Sequence, residues 1–445
     1  MQPSTPPDDR QPPLGSGPVH EPLQTPEAGA APEPEPPAEA GANPLRSPTF
    51  RRLATAYTIN ELGNWIGDVA LAILVFDETH SALATAGLFL ALRFLPAILG
   101  PLLTSRVEAI PARRILPAIH AAEGLIFAGI ALLASHFSLP AVLALGALDG
   151  ALAVAAGALT RGATAALLLS EGMLRRGNAI LNMGFSVGGA LGPAFAGVLV
   201  AALGPGSALL VDAATFLAVA TILASARGLR LETSGDAGWL GRLRAGIGEA
   251  WSRPGVRRLL IAQALALVFF TAVVPIEVVY AKRTLHAGDS GYGALLATWG
   301  AGMVVGGLAY AAASKVRLLL VLAISTALVG IGYAGIAVAS TLAVACAFSA
   351  VGGIGNGAQW IGVVTATQQS ISATAQSSVM SLLGAINQVM PGIGFLLGGV
   401  LATVGSPRTT YAAAAVGVLV ALLLVALRPP RGLGSLATEP GAAGQ

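Results

Sequence analysis

The chain has 445 residues, of which 54% are hydrophobic and 11% are charged, and its 25 Lys and Arg residues slightly exceed its 22 Asp and Glu residues. Soluble domains carry about 25% charged residues, so this composition, with a mean hydropathy of +0.73, excludes a soluble enzyme, a nucleic-acid-binding protein and a secreted disulfide scaffold. The single cysteine, Cys346, lies in an apolar run and cannot form an internal disulfide.

Residues 1–50 predict a disordered cytoplasmic tail rich in Pro, Ala and Glu. The first 48 residues hold 14 of the 28 prolines, with acidic residues between them. Such a segment cannot bury enough apolar surface to offset the entropy lost on ordering. It also lacks the charged start and cleavage site of a signal peptide, so we expect the first apolar run to remain in the membrane.

Twelve apolar runs follow the tail, and each is long enough to cross a hydrocarbon core of about 30 Å as a helix. The break between the ninth and tenth runs, near Ser340, is weakly marked. The runs are 53–76, 83–104, 115–135, 140–160, 178–202, 207–226, 259–280, 291–313, 318–339, 341–366, 378–403 and 409–427.

The basic residues predict the orientation, because Lys and Arg accumulate in cytoplasmic loops. With the N-terminus inside, 20 of the 25 basic residues fall on the cytoplasmic side, and only Lys282, Arg283 and Arg408 fall outside. Arg93 and Arg161 lie within or at the edge of spans. Both termini are therefore predicted to be cytoplasmic.

The longest connection divides the spans into two groups of six. The predicted parts are a first bundle at 51–226, a basic linker at 227–258 that suits an amphipathic helix, a second bundle at 259–428 and a short cytoplasmic tail at 429–445. Three glycines recur between the bundles at offsets of 201 to 206 residues, which favours a transporter built from two repeats. They are Gly87, Gly100 and Gly197, which correspond to Gly293, Gly306 and Gly398.

Several short motifs occur in a fixed order along both bundles. They are LGNWIGD at 62–68, RFLP at 93–96, GNA at 177–179, GPAFAG at 192–197, GYG at 291–293 and WGAG at 299–302. In these motifs residues 51–428 resemble the major facilitator superfamily, in particular its bacterial exporters related to enterobactin exporters and macrolide-efflux permeases. The resemblance implies an all-α membrane protein with twelve helices in two pseudo-repeated six-helix bundles.

The loop after span two departs from that family. The family carries an acid followed by arginines there, and this chain has Glu108, Arg113 and Arg114 but Ala109 where the first arginine is expected. The resemblance implies that these residues form a cytoplasmic gate, in a weakened form. Arg161, placed at the cytoplasmic end of span four, either extends its charge to the interface or pairs with Glu108.

The chain contains none of the constellations of an enzyme. Its five histidines fall in the tail and at outer or span-edge positions, no Cys and His spacing suits a metal, and no phosphate-binding Gly-x-x-x-x-Gly-Lys motif occurs. We therefore expect no catalytic residue and no cofactor. The energy source is expected to be a proton gradient.

Charged residues inside spans are costly and indicate pairing or a hydrated cavity. Glu61, Asn64 and Asp68 share one face of span one, and depth within the helices brings Asp68 level with Arg93 of span two. Either this ion pair is permanent, or a proton taken up by Asp68 or Glu61 releases it and lets the halves move. Glu123 and Asp149 are further candidates for proton carriers or satisfied polar groups.

Asp212 and Glu277 lie close to the outer ends of their spans, which favours interfacial solvation. Uncharged polar residues predict the substrate cavity, and amides with one indole suit a moderately large, partly apolar solute. The alternative for each is a hydrogen bond between helices. These residues are Asn60, Gln263, Asn356, Gln359, Trp360, Asn387 and Gln388.

The sequence thus predicts a proton-coupled exporter of small amphipathic molecules such as drugs or siderophore-like metabolites. Alternatives are a nutrient symporter and a transporter-like scaffold or sensor that no longer transports. We expect a multi-pass protein of the bacterial inner membrane, a monomer whose partners are the lipid bilayer and a small-molecule substrate, with no nucleic acid.

Overall fold

The computed structural model describes residues 43–107, 110–226, 228–229, 239–313, 316–369 and 373–426. Twelve helices in these ranges are long and apolar enough to cross a membrane, and no strand occurs in this part of the chain. The predicted fold class is therefore confirmed. Most of the predicted N-terminal tail and all of the predicted C-terminal tail lie outside the described residues.

The twelve predicted spans all correspond to helices. The weakly marked break near Ser340 is real, because one helix ends at Val338 and the next begins at Leu342. The spans are, in chain order, Pro48–Thr79, Ala82–Gly100, Ala112–Leu133, Leu139–Leu168, Leu174–Leu203, Pro205–Ser225, Pro254–Thr284, Gly288–Ala312, Leu318–Val338, Leu342–Gln368, Ser378–Val404 and Pro407–Leu424. We call the two ends of the bundle outer and inner according to the predicted orientation.

The turn between spans one and two shows how local sequence sets the helix ends. His80 ends span one in a left-handed conformation, with φ of 49°. The Ser81 hydroxyl then accepts a hydrogen bond from the Ala84 amide and caps span two. The turn is therefore tight and holds the two helices antiparallel.

Spans two and seven are irregular helices. Span two contains a π-helical turn at Leu90–Phe94. Span seven passes through a 3-10 turn at Val274–Ile276, where Pro275 lacks the amide hydrogen that a helix needs, and a π-helical turn at Tyr280–Thr284. Such interruptions are frequent at functional sites.

The two halves of the molecule contact each other through glycines of spans five and eight. A Cβ atom on Gly293 would lie 2.5 Å from the carbonyl oxygen of Pro193, and one on Gly300 would lie 2.3 Å from that of Gly189. The backbones therefore touch, as small residues allow between membrane helices. These contacts lie in the middle and outer parts of both spans.

Spans two and eleven make the equivalent contact on the other side of the molecule. Gly392 lies against the ring of Phe94, and Gly399 lies against the methyl group of Ala86. Because span eleven runs from the inner to the outer end, this contact is also in its middle and outer parts.

Charged groups join the halves at the outer end, and we call them the outer latch. The Lys282 ammonium lies 2.6 Å from Asp77 of span one and 2.6 Å from Asp289 of span eight. The Arg283 guanidinium donates to the His80 carbonyl at 2.7 Å. The outer latch thus comprises two residues of the first half and three of the second.

The apolar cores follow the same division. One core cluster contains residues of both halves, for example Leu71 and Tyr280. Toward the inner end each half has a core of its own, which includes Leu116 in the first half and Leu322 in the second. The halves are therefore joined at the outer end and separate toward the inner end.

A helix does occur in the linker, at Trp239–Ser252. Its Gly246 lies close to the Ser378 carbonyl of span eleven. The linker helix is therefore held against the second half.

We expect Gly398→Ala to lower the free energy of unfolding by about 1–3 kcal/mol, the usual cost of overpacking, because its Cβ would lie 1.8 Å from the Ala272 carbonyl oxygen. Gly129→Ala is the matched control, since nothing lies within 4 Å of that position. The measurement is the thermal melting midpoint in detergent. Equal midpoints for the two variants would contradict the packing described.

Candidate functional site

An ion pair lies between spans one and two. The Arg93 guanidinium, carried by the π-helical turn of span two, donates to the Asp68 carboxylate. Both residues are eleven positions from the outer ends of their spans, which is about 16 Å of helix. Their side chains are nonetheless 53% and 20% accessible. Charged groups so deep and so accessible line an internal cavity.

The pair faces the second half of the molecule. Tyr292 of span eight is close enough to Asp68 to interact with it electrostatically. The contact between Asp68 and Arg93 is the one that helix depth predicts, and its role in coupling stays a prediction.

Span one extends the polar face of the cavity toward the inner end. Glu61 forms a side-chain hydrogen bond with Tyr57 and lies within electrostatic range of Arg93 and Asp68. Asn64 is half-buried on the same face. Span one therefore presents two acids to the cavity, as predicted from their spacing.

Arg161 lies in the inner part of span four, seven residues before the helix ends. The helix continues to Leu168, so the exposed Arg161 lies within it. Its charge acts on Tyr57 of span one. Arg113 and Arg114 are exposed at the start of span three, but Glu108 lies outside the described residues, so the predicted gate stays a prediction.

A histidine and a glutamate form a second pair, which is buried inside the first half. The His120 ring nitrogen Nδ1 lies 2.7 Å from the Glu123 carboxylate, and both side chains are almost inaccessible. The ring also stacks near Phe216, with centroids 6.3 Å apart. The expectation that no histidine lies within a span was therefore wrong for His120.

Asp212 is fully buried, so the prediction of interfacial solvation was wrong for it. Its Oδ1 accepts a hydrogen bond from the Thr215 hydroxyl at 3.0 Å, while its Oδ2 has no partner among the described residues. The carboxylate fits because Gly63 and Gly67 of span one leave room for it. The sequence signal was this pair of glycines facing an acid.

Asp149 completes the buried group of acids. It is 8% exposed, and its Oδ1 also lacks a partner in the described part of the chain. It lies within electrostatic range of Glu123, Asp212 and Asp68. No group of three or more His, Cys, Asp or Glu side chains in the described ranges is arranged to hold a metal ion.

The polar residues predicted in the second half divide into two kinds. Gln263 donates to Asn387 at 3.4 Å, and Gln359 donates to the Thr326 hydroxyl at 3.1 Å. These bonds between helices match the alternative reading of the amides. The other three have accessible side chains: Asn356 is half-buried, and Trp360 and Gln388 are exposed. Asn60, in span one, has an amide oxygen without a partner among the described residues.

An aromatic cluster in the second half was missed by the sequence analysis. Trp299 stacks on Tyr333, with ring centroids 5.3 Å apart and an angle of 14° between the planes. Phe270 lies 5.8 Å from Trp299, and Tyr411 lies 5.9 Å from Tyr333. Aromatic residues are sparse and scattered in the sequence, so only the packing of spans seven, eight, nine and twelve brings them together.

Glu277 lies within electrostatic range of this cluster, and its interfacial solvation stays a prediction. Its charge acts on Tyr292, Tyr333 and Tyr411, all buried in the second half. Its own side chain is half-buried. The signal in the sequence was Pro275, which interrupts span seven two residues earlier.

Residues 259–443 match the sequence model of the Major Facilitator Superfamily. No curated protein matches the chain at a significant level. Among solved structures, the nucleoside transporter NupG has 12% identity, a TM-score of 0.69, and covers 85% of this chain and 98% of its own.

Two further solved structures have the same fold. A bacterial homologue of the iron transporter ferroportin, in an inward-facing state, has 15% identity and a TM-score of 0.67 over 87% of this chain and 99% of its own. A POT family transporter in complex with a thioalcohol-conjugated peptide has 10% identity and a TM-score of 0.67 over 85% of this chain and 96% of its own. At these identities the likeness concerns the fold alone, and the exporter branch stays a prediction.

We expect Asp68→Asn and Arg93→Gln each to lower the free energy of unfolding, and the double variant to lose less than the sum of the two. Because the Arg93 side chain is 53% accessible, the coupling energy should be about 1 kcal/mol. Thermal unfolding in detergent measures it. Asp68→Asn with Arg114→Gln is the control, and additive losses in both cycles would show that the pair contributes nothing.

Proposed function

We propose that this chain, which has the major facilitator fold, is a secondary transporter of the inner membrane that exports small amphipathic molecules in exchange for protons. The observation that carries the proposal is the Asp68 and Arg93 pair, accessible deep within the spans. Among the described residues, the two halves share an apolar core toward one end and have separate cores toward the other. A carboxylate paired with an arginine on such a cavity is a group that a proton can neutralise.

The proposed cycle follows from this arrangement. In this proposal the described state is the one in which the cavity opens to the cytoplasm, so a solute reaches it from inside. The outer side opens when the outer latch breaks and spans five and eight separate. A proton bound at Asp68 weakens its attraction for Arg93, and one elementary charge moving down 100 mV supplies about 2.3 kcal/mol.

The first half carries the proton in this proposal. Besides Asp68, it holds Glu61 on the cavity and Glu123, Asp149 and Asp212 inside the bundle. Asp68 lies within electrostatic range of Glu61, Asp149 and Asp212, and the last two lie within range of Glu123. A change of charge at Asp68 therefore acts on the buried acids. The second half supplies half-buried amides and aromatic rings, which suit an amphipathic solute.

We expect substrate-triggered proton movement in liposomes with an imposed pH gradient, and we expect Asp68→Asn to abolish it. Lumenal pH is followed while lipophilic cations, macrolides and catecholate siderophores are added in turn. Movement retained in the variant would assign coupling to Glu61, Glu123 or Asp149. The direction of substrate flux distinguishes export from uptake, and no movement with any compound would favour a protein that does not transport.

We expect Lys282→Ala to open the outer side, because it removes the ammonium group that joins Asp77 to Asp289. Spin labels at Ser135→Cys and Ser340→Cys, in a Cys346→Ala background, report the distance between the halves at the outer end. The population with a longer distance should increase in Lys282→Ala and stay unchanged in Lys282→Arg. An unchanged distribution in Lys282→Ala would refute the role of the latch.

A further inference from the structure

Glu277 lies at the interruption of span seven. It follows the 3-10 turn Val274–Ile276 and precedes the π-helical turn that begins at Tyr280. The Val273 carbonyl accepts hydrogen bonds from both the Ile276 and Glu277 amides. Interrupted helices of this kind form substrate and ion sites in transporters that work between two repeats.

The segment that carries Glu277 lies where the two halves meet. Glu277–Val279 contacts span one of the first half. Tyr292 is within electrostatic range of both Glu277 and Asp68, which belong to opposite halves. The half-buried Glu277 side chain is therefore close to the same interface as the Asp68 and Arg93 pair.

Glu277 has no cationic partner in the described part of the chain, and the three basic residues nearest the outer end are engaged elsewhere. Lys282 contacts Asp77 and Asp289. Arg283 donates to the His80 carbonyl. Arg408 donates to two carbonyls that end span nine, those of Ala337 and Ala339, at 3.0 and 2.7 Å. The protein thus leaves this acid without a compensating charge.

The two halves differ at the position that supplies the cation in the first half. The glycine offset of 206 residues between spans two and eight maps Arg93 of the first half onto Trp299 of the second. In the first half the acid of span one meets an arginine at that position. In the second half the equivalent position of span eight carries an aromatic ring, that of Trp299, instead of an arginine.

Aromatic rings lie on the inner side of Glu277. Phe270 precedes Glu277 by seven residues and lies on the inner side of the 3-10 turn. Its ring is 5.8 Å from that of Trp299 and 6.2 Å from that of Tyr333. The Tyr333 hydroxyl donates to the Phe270 carbonyl at 3.2 Å, and Tyr333 is fully buried, so it supports the Trp299 ring that stacks on it.

We propose that Glu277 binds the positively charged group of the transported molecule, and that the half-buried rings of Phe270 and Trp299 hold its apolar body. The substrate class is a monovalent organic cation with a ring or alkyl body, because a carboxylate neutralises the charge while aromatic faces attract cations and pack against hydrocarbon. This assignment rests on the proposed function and names its substrate class.

The test compares three probes of nearly the same shape and different charge: tetraphenylphosphonium, tetraphenylborate and neutral triphenylphosphine oxide. Binding to the purified full chain is measured by calorimetry in detergent. We expect the wild type to prefer the phosphonium. We expect Glu277→Gln to weaken phosphonium binding by tenfold to a hundredfold, on the order reported for losing a bond to a charged group, and to leave the oxide unaffected.

Two control variants separate the loss of Glu277 from a change in net charge and from the loss of an aromatic ring. Glu78→Gln removes an exposed acid at the outer end of span one and changes the net charge equally, so it should leave phosphonium affinity unchanged. Trp299→Leu keeps Glu277 and removes one ring, so it should weaken both the phosphonium and the oxide. It also provides a second variant if Glu277→Gln does not fold, as judged by its melting midpoint.

The outcomes separate this assignment from the proposed function. Wild-type protein that does not bind the phosphonium, or Glu277→Gln that binds it unchanged, overturns the cation site. Proton-coupled flux of neutral or anionic compounds that survives in Glu277→Gln also overturns the cation site and leaves the transporter standing. Phosphonium binding that depends on Glu277, in a protein that moves no protons in liposomes, supports the site and overturns coupled transport.

Discussion

A charge inside a bilayer must be neutralised by a partner or hydrated, and the arrangement of this molecule follows from that constraint. Arg93 satisfies it through Asp68. The outer cations satisfy it through bonds that connect elements distant in sequence, as Lys282 does between spans one, seven and eight. Each neutralising contact therefore also positions helices, so the polar contacts determine how the halves meet.

The halves themselves are held together by close backbone contact and by a shared apolar core. Gly293 and Gly300 of span eight lie directly on the backbone of span five, and the shared apolar core is confined to the middle and outer parts of the molecule. Since each half keeps a core of its own toward the inner end, separation at the outer end would leave both halves folded. This is the geometry that alternating access requires.

The two repeats have taken different side chains on the same scaffold. The first half carries a group of acids with one arginine and one buried histidine, whereas the second half carries aromatic rings and a single unpaired acid at the interrupted span seven. Repeated backbones with different linings allow one half to respond to protons and the other to hold a solute, a division consistent with the proposed exchange.

The sequence by itself determined the number and order of the spans, because hydropathy and helix length are local properties. The positions of Lys and Arg predict their orientation. The sequence also predicted the pairing of Asp68 with Arg93, since depth along two adjacent antiparallel helices is a matter of counting. Only the tertiary structure decided which acids are buried. Asp212 and Glu277 both lie near span ends in sequence, yet Asp212 is fully buried against glycines of span one, whereas Glu277 is half-buried. Burial depends on which helices pack together around a residue, and no local pattern contains that information.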